Sequence, residues 1–184
     1  MDNRIALRYA SALASIGKEK GTMEVLANDL NMISDTLHSS SDLRAVMHSP
    51  VIRPDAKRKV LVEIFKSHLS ADTMTFIDLL VKKGRPQLLV SVASEFQRLL
   101  DVENKVINAD ITSARELDEA AKKQIVAKLE ERTGLKVRAR YVIDPKIRGG
   151  FVAKIGDTLI DASLQHQLEM LRKDFKSGVI AHVN

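Results

Sequence analysis

Three polar side chains near the C-terminal end have the residue types of a hydrolase triad: Asp161, Ser163 and His166. In such a triad the imidazole takes the serine proton and the carboxylate orients the imidazole. Triad members usually come from distant chain positions, whereas these three fall within six residues at a predicted strand-to-helix corner. The spacing therefore favours Ser163 as the N-cap of a helix. A hydrolase remains the less favoured hypothesis, and it would lose turnover in Ser163→Ala.

The sequence lacks the residues and motifs of cysteine, nucleotide-dependent and metal-dependent catalysis. The chain has no cysteine, which excludes disulfides, thiolate metal sites and cysteine nucleophiles. Neither glycine-rich nucleotide loop, G-x-x-x-x-G-K-[ST] or G-x-G-x-x-G, occurs in the sequence. The five histidines have no metal-ligand spacing and are expected at surfaces and helix ends. These residue types therefore predict no cofactor and no tight nucleotide binding.

The charge balance permits an anionic partner without requiring one. The formal net charge is +5 over 184 residues, and acidic and basic residues interleave along the chain. Three basic clusters could bind phosphates: 57–59, 82–85 and 136–140. Nearby acids and the 4 % aromatic content favour solvated faces instead. A nucleic-acid adaptor stays as the alternative, and its binding would weaken steeply with salt.

The first 104 residues follow a helical period. Leu26, Leu30, Ile33 and Leu37 recur on one face, and similar patterns predict six helices before about residue 105. Beyond it, four runs alternate with a period of two, with one helix between the first two runs and another at the end. We therefore predict an α+β protein with two domains, 1–104 and 105–184. No run approaches a membrane span, so a soluble, cytoplasmic protein is expected.

Two predicted helices carry more apolar surface than a surface helix needs. On a helical wheel, the apolar arcs of the first helix and of the helix at 71–83 each cover roughly 220°, against about 100° for a surface helix. By contrast, the apolar positions of 26–37 and 164–175 form narrow single faces, which we assign to the core. Either both wide-arc helices are buried all round, or each shows a second apolar stripe to a partner helix. The alanines of the first helix would allow such a partner to approach closely.

A family resemblance covers essentially the whole chain. The sequence resembles the delta subunit of bacterial F-type ATP synthases, the counterpart of the mitochondrial oligomycin-sensitivity-conferring protein. The weaker matches are the motifs R-Y-A-x-A-L at 8–13, L-L-V-K-K-G-R at 79–85 and D-I-T-S-A at 110–114. The most specific match is V-x-A-x-Y-x-I-D-P-x-I-x-G-G-F-V at 137–152, followed by I-G-D at 155–157 and I-D-x-S at 160–163.

The resemblance implies a fold and a function. The implied fold is a six-helix N-terminal bundle followed by a small α/β C-terminal domain. The implied role is that of a non-catalytic stator subunit of the peripheral stalk, which stops the catalytic head from turning with the rotor during ATP synthesis. It places the protein on the cytoplasmic side of the bacterial plasma membrane, as a peripheral part of the complex with no membrane span of its own and no nucleic-acid partner.

The resemblance also implies two partners. The N-terminal segment of an alpha subunit would bind between the first and fifth helices, and the end of the b-subunit stalk would bind the C-terminal domain. Together with the surplus apolar arcs, this predicts an alpha-segment site lined by seven residues. They are Tyr9, Ala12, Ile16, Phe76, Leu79, Leu80 and Lys83.

Overall fold

The chain divides into two compact units, residues 1–104 and 105–184. A computed structural model describes residues 2–180. The first unit is helical over its described residues, and the second combines a four-stranded sheet with two helices. The mixed helix-and-sheet class predicted from the change of period is therefore confirmed.

Six α-helices and one 3-10 turn make up the described part of the first unit. Their bounds are α1 (Asp2–Lys20), α2 (Met23–Ser39), α3 (Ser41–His48), α4 (Pro54–Phe65), α5 (Ala71–Lys82), the turn Pro86–Leu88, and α6 (Leu89–Glu103). Local chemistry sets several of these ends. The hydroxyls of Ser40 and Ser70 accept from backbone N–H groups in the first turns of α3 and α5. Gly84, with φ of +67°, ends the α5 segment in a left-handed conformation that favours glycine.

The core of the first unit forms where α1 and α2 pack against α6. Ala6, Ala10 and Ala14 lie four residues apart on α1 and are buried. Small side chains at this spacing form one face and let α6 approach closely. The expectation that the alanines of α1 serve a partner is therefore wrong for these three, because they face the protein's own core. Only Ala12 of the alanines on α1 is exposed.

A buried carboxylate fixes the start of α5. Asp29 of α2 is 6 % exposed, and its Oδ2 accepts three hydrogen bonds. The donors are Ser70 N (2.9 Å), Ser70 Oγ (2.7 Å) and Thr73 Oγ1 (2.7 Å). A buried carboxylate is tolerated only when its lone pairs are satisfied, so this cluster ties the N-terminal end of α5 to α2.

An ion pair with two hydrogen bonds joins α4 to α5. Arg58 Nε donates to Asp78 Oδ1 at 2.7 Å and Arg58 Nη2 donates to Oδ2 at 2.8 Å. These hydrogen bonds lower the pKa of Asp78 below its ordinary value. A carboxyl whose pKa is depressed by folding stabilises the folded state above its unfolded pKa, and that stabilisation disappears as the pH falls through the folded pKa.

We therefore expect Asp78→Asn to lower the free energy of unfolding at pH 7 and to have a smaller effect at pH 3. Urea unfolding of wild type and variant at both pH values measures the difference. Asp35→Asn, at an exposed carboxyl of α2, is the matched control and should change little at either pH. An equal effect of Asp78→Asn at both pH values would contradict the role of the ionised pair.

The second unit is built on one mixed sheet. Its elements are β1 (Val106–Ser113), α7 (Glu119–Thr133), β2 (Lys136–Ile143), β3 (Gly150–Ile155), β4 (Thr158–Ser163) and α8 (Leu164–Ile180). The strand order is β2-β1-β3-β4, with β1 and β2 parallel and the other neighbours antiparallel. Helix α7 is the crossover that a parallel pair requires. Its Ile125 and Leu129 pack on the apolar face of the sheet beside Ala109, Ile111 and Ala153.

Two glycines let the chain enter β3. Gly149 and Gly150 have φ of +83° and +76°. A Cβ on Gly150 would lie 2.3 Å from the carbonyl oxygen of Ala162, on the neighbouring strand β4. The Gly-Gly pair is thus required both by its backbone conformation and by the closeness of β4. The tight hairpin expected at Gly156-Asp157 is also present, since β3 ends at Ile155 and β4 begins at Thr158.

The last helix, α8, leaves exposed the apolar face that its sequence pattern assigned to the core. The predicted core positions of α8 form one face at spacings of four, three and four residues: Leu164, Leu168, Leu171 and Phe175. We call this face the α8 stripe. All four side chains are at least half exposed. The pattern located the face correctly, but the assignment to the core is wrong because none of the four side chains belongs to the buried cluster of the sheet.

Candidate functional site

An apolar groove lies between α1 and α5. Its volume is about 290 Å³. The side chains that line it come from both helices and are Tyr9, Ala12, Leu13, Ile16 and Lys20 of α1, with Asp72, Thr75, Phe76 and Leu79 of α5. We refer to this concavity as the α1–α5 groove.

The two helices present different parts of their wide apolar arcs to the groove and to the core. On α1, Leu13 is buried while Ala12 and Ile16 are exposed. On α5, Ile77 is fully buried while Leu79 is 43 % exposed. Both helices therefore have exposed apolar side chains in addition to their buried ones, Ala12 and Ile16 on α1 and Leu79 on α5. These three side chains line the same groove.

Aromatic packing sets one end of the α1–α5 groove. The rings of Tyr9 and Phe76 meet edge to face, with centroids 6.3 Å apart and an interplanar angle of 72°. Arg85, just beyond α5, donates from Nη1 to the Tyr9 hydroxyl at 3.4 Å. These contacts hold the middle of α1 against α5 and the residues that follow it.

Five of the seven predicted site residues line the α1–α5 groove, namely Tyr9, Ala12, Ile16, Phe76 and Leu79. Leu80 does not, and its assignment is corrected here. Its side chain is 0 % exposed and packs in the core, since one residue further along a helix turns the side chain by about 100°. Lys83 is exposed, caps the C-terminal end of α5 and lies outside the lining residues.

The sequence-based prediction missed an ion pair at the opposite end of the groove. Lys20 Nζ lies 2.7 Å from Asp72 Oδ1, so the pair connects the end of α1 to the start of α5. Lys20 lies at the C-terminal end of a helix and Asp72 at an N-terminal end, where the helix dipole favours a positive and a negative charge respectively. This placement at predicted helix ends is the sequence signal that could have identified the pair. Both side chains line the groove and bound its apolar surface.

The corner that holds Asp161, Ser163 and His166 does not form a triad. Ser163 Oγ accepts from the backbone N–H of His166 at 3.2 Å, which confirms Ser163 as the cap of α8. Hydrogen bonds from the Ser163 hydroxyl and backbone N–H lower the pKa of Asp161. The carboxylate thus orients the serine and the helix start rather than an imidazole.

The basic clusters at 57–59 and 136–140 contain cations that are engaged within the protein. Lys57 is buried and its Nζ donates to the Met47 carbonyl oxygen at 2.8 Å. Arg58 pairs with Asp78, and Arg140 Nε donates to Asp110 Oδ1 at 2.8 Å. The last bond lowers the pKa of Asp110. Neither cluster is therefore a continuous phosphate-binding surface.

The described residues contain neither a membrane-spanning helix nor a cluster of metal-ligating side chains. No helix within 2–180 has both the length and the apolarity to cross a membrane. Over the same residues, no three side chains of metal-ligating type lie close enough together to hold a metal ion.

Comparison with known proteins places the chain in one family. Residues 5–175 match the model of the ATP synthase delta (OSCP) subunit family. The ATP synthase subunit delta of Chlorobaculum tepidum is 46 % identical over 165 residues, 90 % of this chain and 91 % of that protein. The ATP synthase subunit delta of Chlorobaculum parvum is 43 % identical over 174 residues, 95 % of this chain and 94 % of that protein.

A solved structure supports the same fold. A chain in the cryo-EM structure of the Toxoplasma gondii mitochondrial ATP synthase hexamer superposes with a TM-score of 0.66, at 22 % identity, over 92 % of this chain and 96 % of that chain. The protein is a subunit of a multi-protein complex, and it belongs to the ATP synthase delta (OSCP) subunit family. It is thus a structural component of the peripheral stalk of an F-type ATP synthase, as the family resemblance implied.

Proposed function

We propose that the protein links the catalytic head of the ATP synthase to its b-subunit stalk and so resists the torque of the rotor. In this proposal the α1–α5 groove binds the N-terminal segment of an alpha subunit as an amphipathic helix. The observation that carries it is the groove itself, in which the exposed side chains of Ala12, Ile16 and Leu79 lie beside apolar residues at the edge of the core. A helix-in-groove contact needs such a surface.

The α8 stripe supports the second attachment. Its four apolar side chains lie on one face of a 17-residue helix and are at least half exposed. Contiguous exposed apolar surface of this kind marks an interaction site. We propose that the end of the b-subunit stalk, as a helical partner, packs along this stripe.

The two proposed attachments, to the alpha subunit and to the b subunit, can be tested separately in one co-purification experiment. Leu171→Asp should abolish co-purification of the b subunit and leave the alpha subunit bound, because a charge buried against an apolar partner has no compensating group. Met170→Asp is the matched control, since Met170 is an exposed apolar residue of α8 that lies off the stripe. Loss of b binding in both variants, or in neither, would contradict the assignment.

The proposal assigns no chemistry to the protein. It acts at the cytoplasmic side of the bacterial plasma membrane as a peripheral subunit, with no cofactor and no nucleic-acid partner. A nucleic-acid adaptor would instead bind through charge. Binding of the head through an apolar groove should persist at salt concentrations that disrupt phosphate contacts.

We also propose that the two compact units are domains, with 1–104 able to fold alone. The core cluster of the first unit draws its buried residues from 6 to 100, so a fragment ending at 104 keeps that cluster intact. Circular dichroism of the 1–104 fragment should show a helical spectrum and a cooperative melting transition. A random-coil spectrum or a non-cooperative melt would place the boundary elsewhere.

A further inference from the structure

The two ends of the α1–α5 groove differ in charge. At the end formed by the C-terminus of α1 and the N-terminus of α5, Lys20 and Asp72 lie 2.7 Å apart. Their opposite charges cancel locally, so this end presents little net charge to a bound segment.

The other end is basic. Arg85 reaches the Tyr9 hydroxyl at 3.4 Å, and Lys83 lies four residues beyond Leu79, on the same side of the α5 segment. Arg8 is exposed and lies four residues before Ala12 on α1. Of the ion pairs formed by the described side chains, none involves these three cations. We call Arg8, Lys83 and Arg85 the basic end.

A partner helix in the groove meets an apolar floor that is short. The α1 residues from Tyr9 to Ile16 are eight in number and cover about 10 Å of helix, which is about two turns. A bound helix would bury apolar side chains at i, i+3 or i+4, and i+7 over this length. The next turn of the bound helix then lies beside the basic end.

We propose that the charge of the groove fixes the direction of the bound segment, so that a carboxylate one turn beyond its apolar stripe lies between Lys83 and Arg85. This inference rests on the proposed alpha-subunit site, and it adds a requirement on the sequence and orientation of the occupant. The reverse orientation would place that carboxylate beside Asp72, where the ion pair already satisfies Lys20. Charge complementarity at an interface rim selects register and orientation in this way.

Affinity measurements test the basic end. The probe is a synthetic peptide of the alpha-subunit N-terminal segment, labelled with a fluorophore for anisotropy titration against the full chain. Lys83→Glu and Arg85→Glu should each weaken binding by about tenfold at low salt, and the loss should shrink at high salt. Lys82→Glu makes the same charge change on an adjacent, differently directed residue and should cost less than about threefold. A second peptide has the acidic residues beyond its apolar stripe replaced by the corresponding amides. We expect it to bind the wild-type protein more weakly than the original peptide does. The two peptides should bind the Lys83→Glu variant equally well.

Orientation is measured separately. Because the chain contains no cysteine, Asn3→Cys and Glu19→Cys each provide one attachment point for a nitroxide label, near opposite ends of α1. The label at position 3 should broaden NMR signals of the acidic end of the peptide, and the label at position 19 those of the other end. Equal broadening of both ends, or an equal affinity loss for Lys82→Glu and Lys83→Glu, would overturn the inference while leaving the groove as the site. A wild-type chain that fails to bind the peptide would overturn the proposed function together with the inference.

Discussion

Replacing Ala12 with aspartate is expected to weaken binding of the alpha-subunit segment by about a hundredfold or more while leaving the melting temperature nearly unchanged. Ala12 is exposed and lines the α1–α5 groove, so the free protein can hydrate the new carboxylate. In the complex, the same carboxylate would be pressed against an apolar helix without a partner, which costs several kcal/mol.

The matched control for this variant is two residues away. Ala10→Asp places the same group at a position that is 0 % exposed, against α6, and should unfold the first unit. Isothermal calorimetry with the alpha-subunit peptide and a thermal melt of each variant give the two measurements. If Ala12→Asp melts like Ala10→Asp, Ala12 belongs to the core. If it binds normally while folded, the segment binds elsewhere.

Gly150→Ala is expected to destabilise the second unit by about 3 kcal/mol or more, through two effects that add. The residue's φ of +76° disfavours any side chain, and the new Cβ would lie 2.3 Å from the Ala162 carbonyl oxygen and 2.9 Å from Ser163 Cα. Both contacts are with backbone atoms of the paired strand, so β3 and β4 must separate to relieve them. Hydrogen exchange of the β3 amides in the full chain should accelerate strongly.

A second glycine separates the two effects. Gly156→Ala introduces a Cβ at φ of +56° with no atom within 4 Å, so only the conformational cost applies, about 1 kcal/mol. If Gly150→Ala destabilises the second unit no more than Gly156→Ala does, β4 can move away from the new Cβ without loss of stability. That result would contradict the steric argument.

Sequence patterns predicted the elements well because their signals are local. Periods of 3.6 and 2 located the helices and strands, and Gly156-Asp157 located the hairpin. The order of the strands was not predicted. The parallel pairing of β1 with β2 across α7 depends on contacts between residues thirty positions apart, such as Asp110 with Arg140, which no local period encodes.

The groove was predicted from the wide apolar arcs together with the family resemblance, and the errors in the residue assignments come from the arcs. A wheel shows that α5 is apolar on two sides, but not which side faces the core, so Leu79 and Leu80 were both assigned to the site although only Leu79 is exposed. For α8 the wheel gave a narrow face, and a narrow face was interpreted as core. Whether an apolar face is covered by its own chain or by a partner depends on tertiary packing.

The packing of α1 against α6 joins the first and last helices of the first unit, and an ion pair between Lys18 and Glu103 connects the C-terminal ends of both helices. On the ribosome, α1 is synthesised before α6, so its packing on α6 cannot form until α6 has been made. At 5–20 residues per second, the interval between residue 20 and residue 103 lasts roughly 4 to 17 s. Throughout that interval the face of α1 that packs on α6 has no partner, and this apolar face is accessible to chaperones that act during translation.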